Sequence, residues 1–457
     1  MKTLILDCEV VVTMDEAGRE IPGGSILLDN GEITWVGGGD PNPDLVRGAE
    51  RVDGRGTVAL PGLINTHHHL YQTLTRVQAV DQGLFGWLRT LYPIWARLDE
   101  EWVWTGARIG LVELALSGCA TTTDHLYIFP PGRPGLLEAE IRAASEVGLR
   151  FHPCRGSMDL GVSRGGLPPD EIVQDLDAIL AETEEAVRRH HDPGPGSMLR
   201  IAVAPCSPFS VTRELMKESA TLARGLGVRL HTHIAETLDE EAYCRQTYGR
   251  RPLELLEDLG WLGEDVWLAH CVHLSPGDIA AMASSGSGVA WCPTSNLRIA
   301  SGVAPVRALL TAGARVGLGV DGSASNDGGD LLAEARLGML IQRLGGAAAL
   351  SAREALRVAT RGGAACLGRD DIGSLEVGKR ADVALFDVDG LAFAGAEADP
   401  VAALIFCAPQ RVRDLFVEGR PVVRVGRLVH VEEDEIASEG HRLGRRIAED
   451  TYRRVAS

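Results

Sequence analysis

Through the middle of the chain, eight short apolar runs recur, each followed by a segment long enough for a helix. In order they are VALPGLINTHHH, CATTTDH, LRFHPCRG, RIAVAPCSP, VRLHTHIAE, VWLAHCVH, SGVAWCPTSN and RVGLGVDGSASND. Intervening stretches such as EAEIRAASEVG and ELMKESATLARGLG read as helices. Strands that are apolar throughout, rather than alternating, have both faces buried, as in a parallel sheet covered by helices. Eight such units predict a closed (β/α)8 barrel. The length of 457 residues holds one barrel plus a smaller unit, and the 54 glycines suit a fold with many tight βα connections.

The two ends differ from the middle. LILDCEVVV, SILLDNGEITWVG and RVDGRGTVAL are strand-like, with Asn30-Gly31 as a hairpin signal. ADVALFDVD, VRDLFVEGRPVVRVG and RLVHV repeat that style near the other terminus. The expected architecture is α/β: a (β/α)8 TIM barrel over 59–370 and a small β-sandwich domain built from 1–58 and 371–432. A charged C-terminal helix is expected over 433–457, its periodic part spanning about 433–455.

Charge narrows the partners. A net charge of −18 repels phosphate backbones and anionic lipid surfaces, so neither nucleic acid nor membrane is expected to bind. The uncharged run from Ile279 to Leu297 is broken by Ser, Gly and Pro and does not predict a membrane span. The apolar start meets Asp7 and Glu9 too early for a secretory signal. Nine scattered cysteines without a CxxC pair read as reduced thiols, and the expected compartment is the cytoplasm.

Ionisable residues fall where a barrel places its chemistry, at the C-terminal ends of the strands. His67, His69, His233, Glu236, His270 and Asp321 each sit just after an apolar run. Alternate side chains share a strand face, so His67 and His69 point together and His68 points away. His231 and His233 are also in phase, so spacing leaves both open as ligands. Taken singly, each residue has a bland reading: a hydrogen-bonded strand-end histidine or a solvated loop carboxylate. A carboxylate closing the apolar run RVGLGVD, however, needs a partner. Metal-competent residues ending the first, fifth, sixth and eighth runs together point to a metal centre. Nitrogen and oxygen donors without thiolate suit Zn²⁺ or Fe²⁺, which affinity order alone does not separate; zinc is the expected ion, with iron as the alternative. The fourth run ends in Cys206 and Ser207, with no Lys or Glu to bridge two ions about 3.5–4 Å apart, so one divalent ion is expected. Cys206 itself reads as a small buried residue lining the pocket.

PGLINTHHH, HTHIAE, LAHCVH and GLGVDGSASND resemble the amidohydrolase superfamily, and more narrowly its mononuclear nucleobase and triazine deaminase branch. THHHLYQTLTR, TLYPIW, APCSPFSVT and THIAETLDEE are most similar to 8-oxoguanine deaminases. The resemblance covers nearly the whole chain. It implies His67, His69, His233 and Asp321 as metal ligands, with Glu236 and His270 as catalytic neighbours and a homo-oligomeric assembly.

These roles agree with the chemistry of the residue types. The ion would supply a water acidified towards ~7, Asp321 would accept its proton, His270 would hydrogen-bond the attacking oxygen, and Glu236 would protonate a ring nitrogen. The same pairing of a metal with a glutamate serves zinc nucleobase deaminases of another fold. For substrate contacts the expectation is Gln72 on an amide edge, Trp87 and Tyr92 stacked on a flat ring and Arg155 on a carbonyl oxygen, with Ser157 also lining the substrate pocket. Asn326 is expected to tie down the loop that carries Asp321.

The implied reaction is hydrolytic deamination of an aminated heterocycle, first of all 8-oxoguanine to urate and ammonia. Guanine, isocytosine or pterin deamination and triazine amino- or chlorohydrolysis are the alternatives within the same chemistry. A non-catalytic scaffold on this fold is the alternative of another class, and it would be missing ligands that this chain retains.

Overall fold

The computed structural model describes residues 2–39, 41–346, 350–407 and 411–455. Eight parallel strands close into a barrel: Leu63–Asn65, Cys119–Leu126, Arg150–Ser157, Ala202–Pro205, Leu230–Ile234, Val266–His270, Gly288–Trp291 and Arg315–Leu318. Closure is made by the eighth strand pairing with the first at Leu318 and Asn65. Seven of these strands are buried along their whole length, as continuous apolar runs require, and in the eighth only Arg315 is half-buried.

Local signals set the helices between them. Thr212 caps the helix Arg213–Leu226 by accepting from Leu215 N–H, and Gly227 ends it in a left-handed turn (φ +70°). Ser275 and Asp278 form a reciprocal capping box at the helix Pro276–Ser285, whose first residue is the proline.

The terminal segments meet in one nine-stranded, mainly antiparallel sheet with its own core of residues such as Ile5, Ile26, Val383 and Phe416. The run VALPGLIN divides between the two units. Thr57–Pro61 belongs to the terminal sheet, where it pairs antiparallel with Val383–Asp387, and the barrel begins at Leu63. Gly62 joins them at a point where an added Cβ would stand 2.3 Å from the Cβ of Ala120, so only glycine lets the strands pass. The helix Glu433–Val455 lies back on the helix Glu100–Leu116, with Leu443 and Ile447 buried and Arg442 and Arg446 both paired to Glu101. No helix among the described residues is long and apolar enough to cross a membrane. Eight cysteines are buried and Cys407 is half-buried.

Along the second strand, side-chain alternation sends Asp124 and His125 to opposite faces. Asp124 turns outward to Glu140 on the helix Leu136–Val147, and both carboxyls are fully buried. Both oxygens of Glu140 and Oδ2 of Asp124 have no hydrogen-bond donor, so these two buried carboxyls are expected to hold a proton between them. Burial pushes the Asp124 carboxyl up to about 7 and that of Glu140 well above the usual carboxylate range. Folded pKa values raised in this way favour the folded state below about pH 4, and the benefit is lost as pH rises towards the folded values. Glu140→Gln keeps a neutral partner at every pH. Its Tm is therefore expected to exceed that of the unsubstituted protein by roughly 2–4 °C at pH 8 and by less at pH 5.5. Equal Tm differences at the two pH values in a calorimetric comparison would contradict a shared proton.

Candidate active site

Three strand ends leave the barrel through left-handed turns at residues other than glycine: Ala235 (φ +50°), His270 (φ +71°) with Cys271 (φ +52°), and Asp321 (φ +63°). Such conformations carry strain of the order of 1–3 kcal/mol each and cluster where a side chain must be aimed. Here they turn Glu236, His270 and Asp321 over the mouth of the barrel, beside His67, His69 and His233.

Hydrogen-bond partners assign the tautomers of these histidines. His69 donates from Nδ1 to His125 O (2.7 Å) and His233 from Nδ1 to Cys206 O (2.7 Å). His231 donates from Nδ1 to Trp267 O (2.8 Å), which leaves its Nε2 to accept from His67 Nδ1 (2.8 Å). The Nε2 atoms of His67, His69 and His233 therefore all carry lone pairs. Yet His69 Nε2 and His233 Nε2 lie 3.0 Å apart, and Asp321 Oδ1 stands 3.2 Å from His67 Nε2 and 3.4 Å from His69 Nε2. His67 Nε2 is buried without a hydrogen-bond donor.

Four acceptors facing one another with no proton between them repel unless a cation sits among them. Zinc–nitrogen bonds of about 2.0–2.1 Å would space tetrahedral neighbours roughly 3.3 Å apart, close to these separations. Burial holds the His67 and His233 rings well below the usual imidazole range and lowers His69 too, so all three are neutral, as ligation requires. The donor set fits a divalent metal ion. His231 faces the back of His67 and holds it in place.

Burial pushes the Asp321 carboxyl up, but the surrounding histidines, of which His270 carries the raised pKa, hold it well below the usual range. Its Oδ2 accepts from Ser295 Oγ (2.5 Å) and Ser325 Oγ (3.1 Å). His270 Nε2 lies 3.6 Å from Glu236 Oε2 and 4.0 Å from Asp321 Oδ2, and its Nδ1 faces Asn296 Oδ1 (3.0 Å). Burial lowers the His270 pKa, but the two carboxylates more than offset it and the net shift is upward. Burial pushes the Glu236 carboxyl up to about 7 despite His270, so near neutrality it holds a proton in a substantial share of molecules.

A pocket opens over this centre, walled by Leu84, Trp87, Leu88 and Tyr92 of the helix Leu84–Trp95 and by Phe209 and Ile299. Gln72 also reaches it, with Oε1 buried and unpartnered, and so is the hydroxyl of Tyr92. Trp87 is fixed by its Nε1–H donating to Ala324 O (3.1 Å). Cys206 lines the wall with its thiol pushed by burial up to about 12, a protonated group rather than a thiolate. Asn326 ties the Asp321 loop by donating to Val320 O (2.7 Å) and to Glu334 (2.7 Å).

Arg155 and Ser157 are not brought to the pocket. The Arg155 guanidinium lies over the Phe129 ring, 3.8 Å from its centroid, and is paired with Glu182 (2.6 Å) and Gln174 (2.9 Å). Ser157 O accepts from Cys206 N in the strand ladder.

Several residues at the site were not singled out from the sequence. His125 is packed flat on His233 (ring centroids 4.8 Å apart) and donates from Nε2 to Ala204 O (2.8 Å). Nitrogens of His67, His125 and His233 gather within 4.8 Å, as do ligand atoms of His67, His270 and Asp321. The signal for His125 was its position at the end of CATTTDH. Ser295 and Asn296 follow the seventh strand in SNLR and carried no comparable signal.

Residues 58–422 match the amidohydrolase family, and the chain belongs to that family. It is 47% identical over 405 residues to 8-oxoguanine deaminase of Pseudomonas aeruginosa, covering 88% of this chain and 90% of that one. It is 38% identical over 476 residues to hydroxydechloroatrazine ethylaminohydrolase of Pseudomonas sp. (strain ADP), covering 99% and 95%. The crystal structure of atrazine chlorohydrolase from Arthrobacter aurescens TC1 complexed with zinc superposes with a TM-score of 0.92 at 36% identity, covering 97% of this chain and 100% of that one.

Proposed function

We propose that the protein is a zinc-dependent aminohydrolase that converts 8-oxoguanine to urate and ammonia, with one ion held by His67, His69, His233 and Asp321. The observation that carries the reading is the buried Glu236 carboxyl, pushed up to about 7 and placed 3.6 Å from His270 beside the convergent lone pairs. A generic hydrolase needs no such acid, whereas breaking an aromatic C–N bond needs a proton on the ring. When bound, the ion supplies a water acidified towards ~7.

The protein's own groups do the rest. Asp321 takes the water's proton, with Ser295 and Ser325 holding the carboxylate in place. Glu236 delivers its proton to a ring nitrogen as the oxygen bonds to carbon. His270 donates to that oxygen from Nε2. Glu236 then recovers a proton from the new hydroxyl, Asp321 returns its own to the amine, and ammonia leaves as the carbonyl forms. Gln72 and Tyr92 contact the heterocycle's polar edge, and Trp87 and Leu88 close over its face. The likeness to 8-oxoguanine deaminase at 47% identity supports the choice of base. Buried thiols without a disulfide support a cytoplasmic location.

Ammonia release from 8-oxoguanine, guanine, isocytosine, pterin and amino- and chlorotriazines, together with metal analysis, tests this. The expected result is one zinc per chain and the highest kcat/KM on 8-oxoguanine. Turnover of another compound with none of 8-oxoguanine would overturn the substrate, and a metal content near zero would overturn the centre.

A further inference from the structure

We infer that Glu240 is a positioning residue that fixes the turn carrying Glu236 and locks it to the turn carrying His270. The inference rests on Glu236 being the acid of the reaction proposed above. Glu240 lies in the first turn of the helix Leu238–Tyr248, where Thr237 is the cap and accepts from Glu240 N. A glutamate at this place in a helix ordinarily reaches back to the backbone N–H of the cap residue. Glu240 reaches further. Its Oε1 accepts from Ala235 N (3.0 Å) and its Oε2 from Glu236 N (2.7 Å), and the side chain is buried. Those two amides are the ones turned out of the strand ladder by the left-handed backbone of Ala235.

The same residue is held from its other side. Ala235 O accepts from Val272 N (2.9 Å) and His273 N (2.8 Å), in the loop that follows His270 and Cys271. One carboxylate thus secures a strained turn to which a second strained turn is tied. Without it two buried N–H groups lose their partners, and the turn loses what holds it against its strain. Glu240 does not line the pocket, so its effect on the reaction passes through Glu236.

Glu240→Gln keeps the volume but sets an NH2 group against one of the two amides. The expected result is a kcat about 100-fold lower, the scale set by misplacing a reacting group by about an ångström. KM stays within about twofold and the metal content is unchanged. In a Glu236→Gln background the same substitution adds less than about twofold, because the residue it positions no longer acts. Full kcat in Glu240→Gln, or losses that multiply in the double variant, would overturn the inference. Amide hydrogen exchange reads the geometry without any substrate: protection at Ala235 and Glu236 falls in the variant while that at Leu230–Thr232 is retained. Retained protection at Ala235 and Glu236 would also overturn it. A loss of protection in a protein that deaminates nothing would instead sink the catalytic reading and leave the positioning intact. If Glu240→Gln does not accumulate as folded protein, Glu240→Asp, which withdraws the carboxylate by one methylene, is read in the same way.

Discussion

Glu236→Gln is expected to lower kcat by about 10²–10⁴-fold while leaving KM and metal content close to their original values. The substitution preserves the shape of a side chain that is 4% exposed and removes only its transferable proton. An amide at this position can still donate a hydrogen bond to a ring nitrogen, so binding persists. It cannot give up that proton, so negative charge builds on the heterocycle as carbon is attacked. A loss shared between kcat and kcat/KM, with KM unmoved, is the signature of an interaction made only in the transition state. A variant within tenfold of the original would mean that the ring is protonated by another group, and His270 is the one within reach.

His233→Ala and His231→Phe separate two histidines that share a strand face. His233→Ala removes one of the converging lone pairs, and the variant is expected to be purified with little metal and to lose at least 10⁴-fold in activity. His231→Phe leaves all three converging Nε2 atoms in place and removes only the acceptor behind His67 Nδ1. Loss of such a supporting contact costs about 10–100-fold in metal affinity. Adding excess zinc is therefore expected to restore His231→Phe and not His233→Ala, by plasma emission analysis and ammonia release measured together. The reverse outcome would exchange the roles of the two residues.

That pair also marks where the sequence stops being informative. Alternation along a strand puts His231 and His233 on one face, and nothing local distinguishes them. The distinction comes from Trp267 O, which belongs to the next strand and turns His231 into an acceptor for His67. Contacts between strands are invisible to periodicity along one strand. The eight apolar runs and their ionisable ends were legible because burial on both faces and the position of a barrel's mouth each leave a pattern in a single strand. Arg155 stands near the C-terminal end of its strand, where substrate-binding residues of a barrel lie, but Glu182, on the helix Leu176–His190, claims it. The run VALPGLIN reads as one strand because both halves are apolar, and only Gly62, wedged against Ala120, shows the division.

The pairing of Thr57–Pro61 with Val383–Asp387 has a consequence for how the chain is made. Synthesis proceeds at roughly 5–20 residues per second. The partner strand leaves the ribosome about 325 residues later, so the earlier strand waits about 16–65 s with that edge uncovered. Completion of the sheet is therefore set by translation and not by the speed at which strands can find each other. Anything that shields an unpaired edge during that interval, a chaperone or the growing barrel itself, governs how much of the newly made chain reaches its native form.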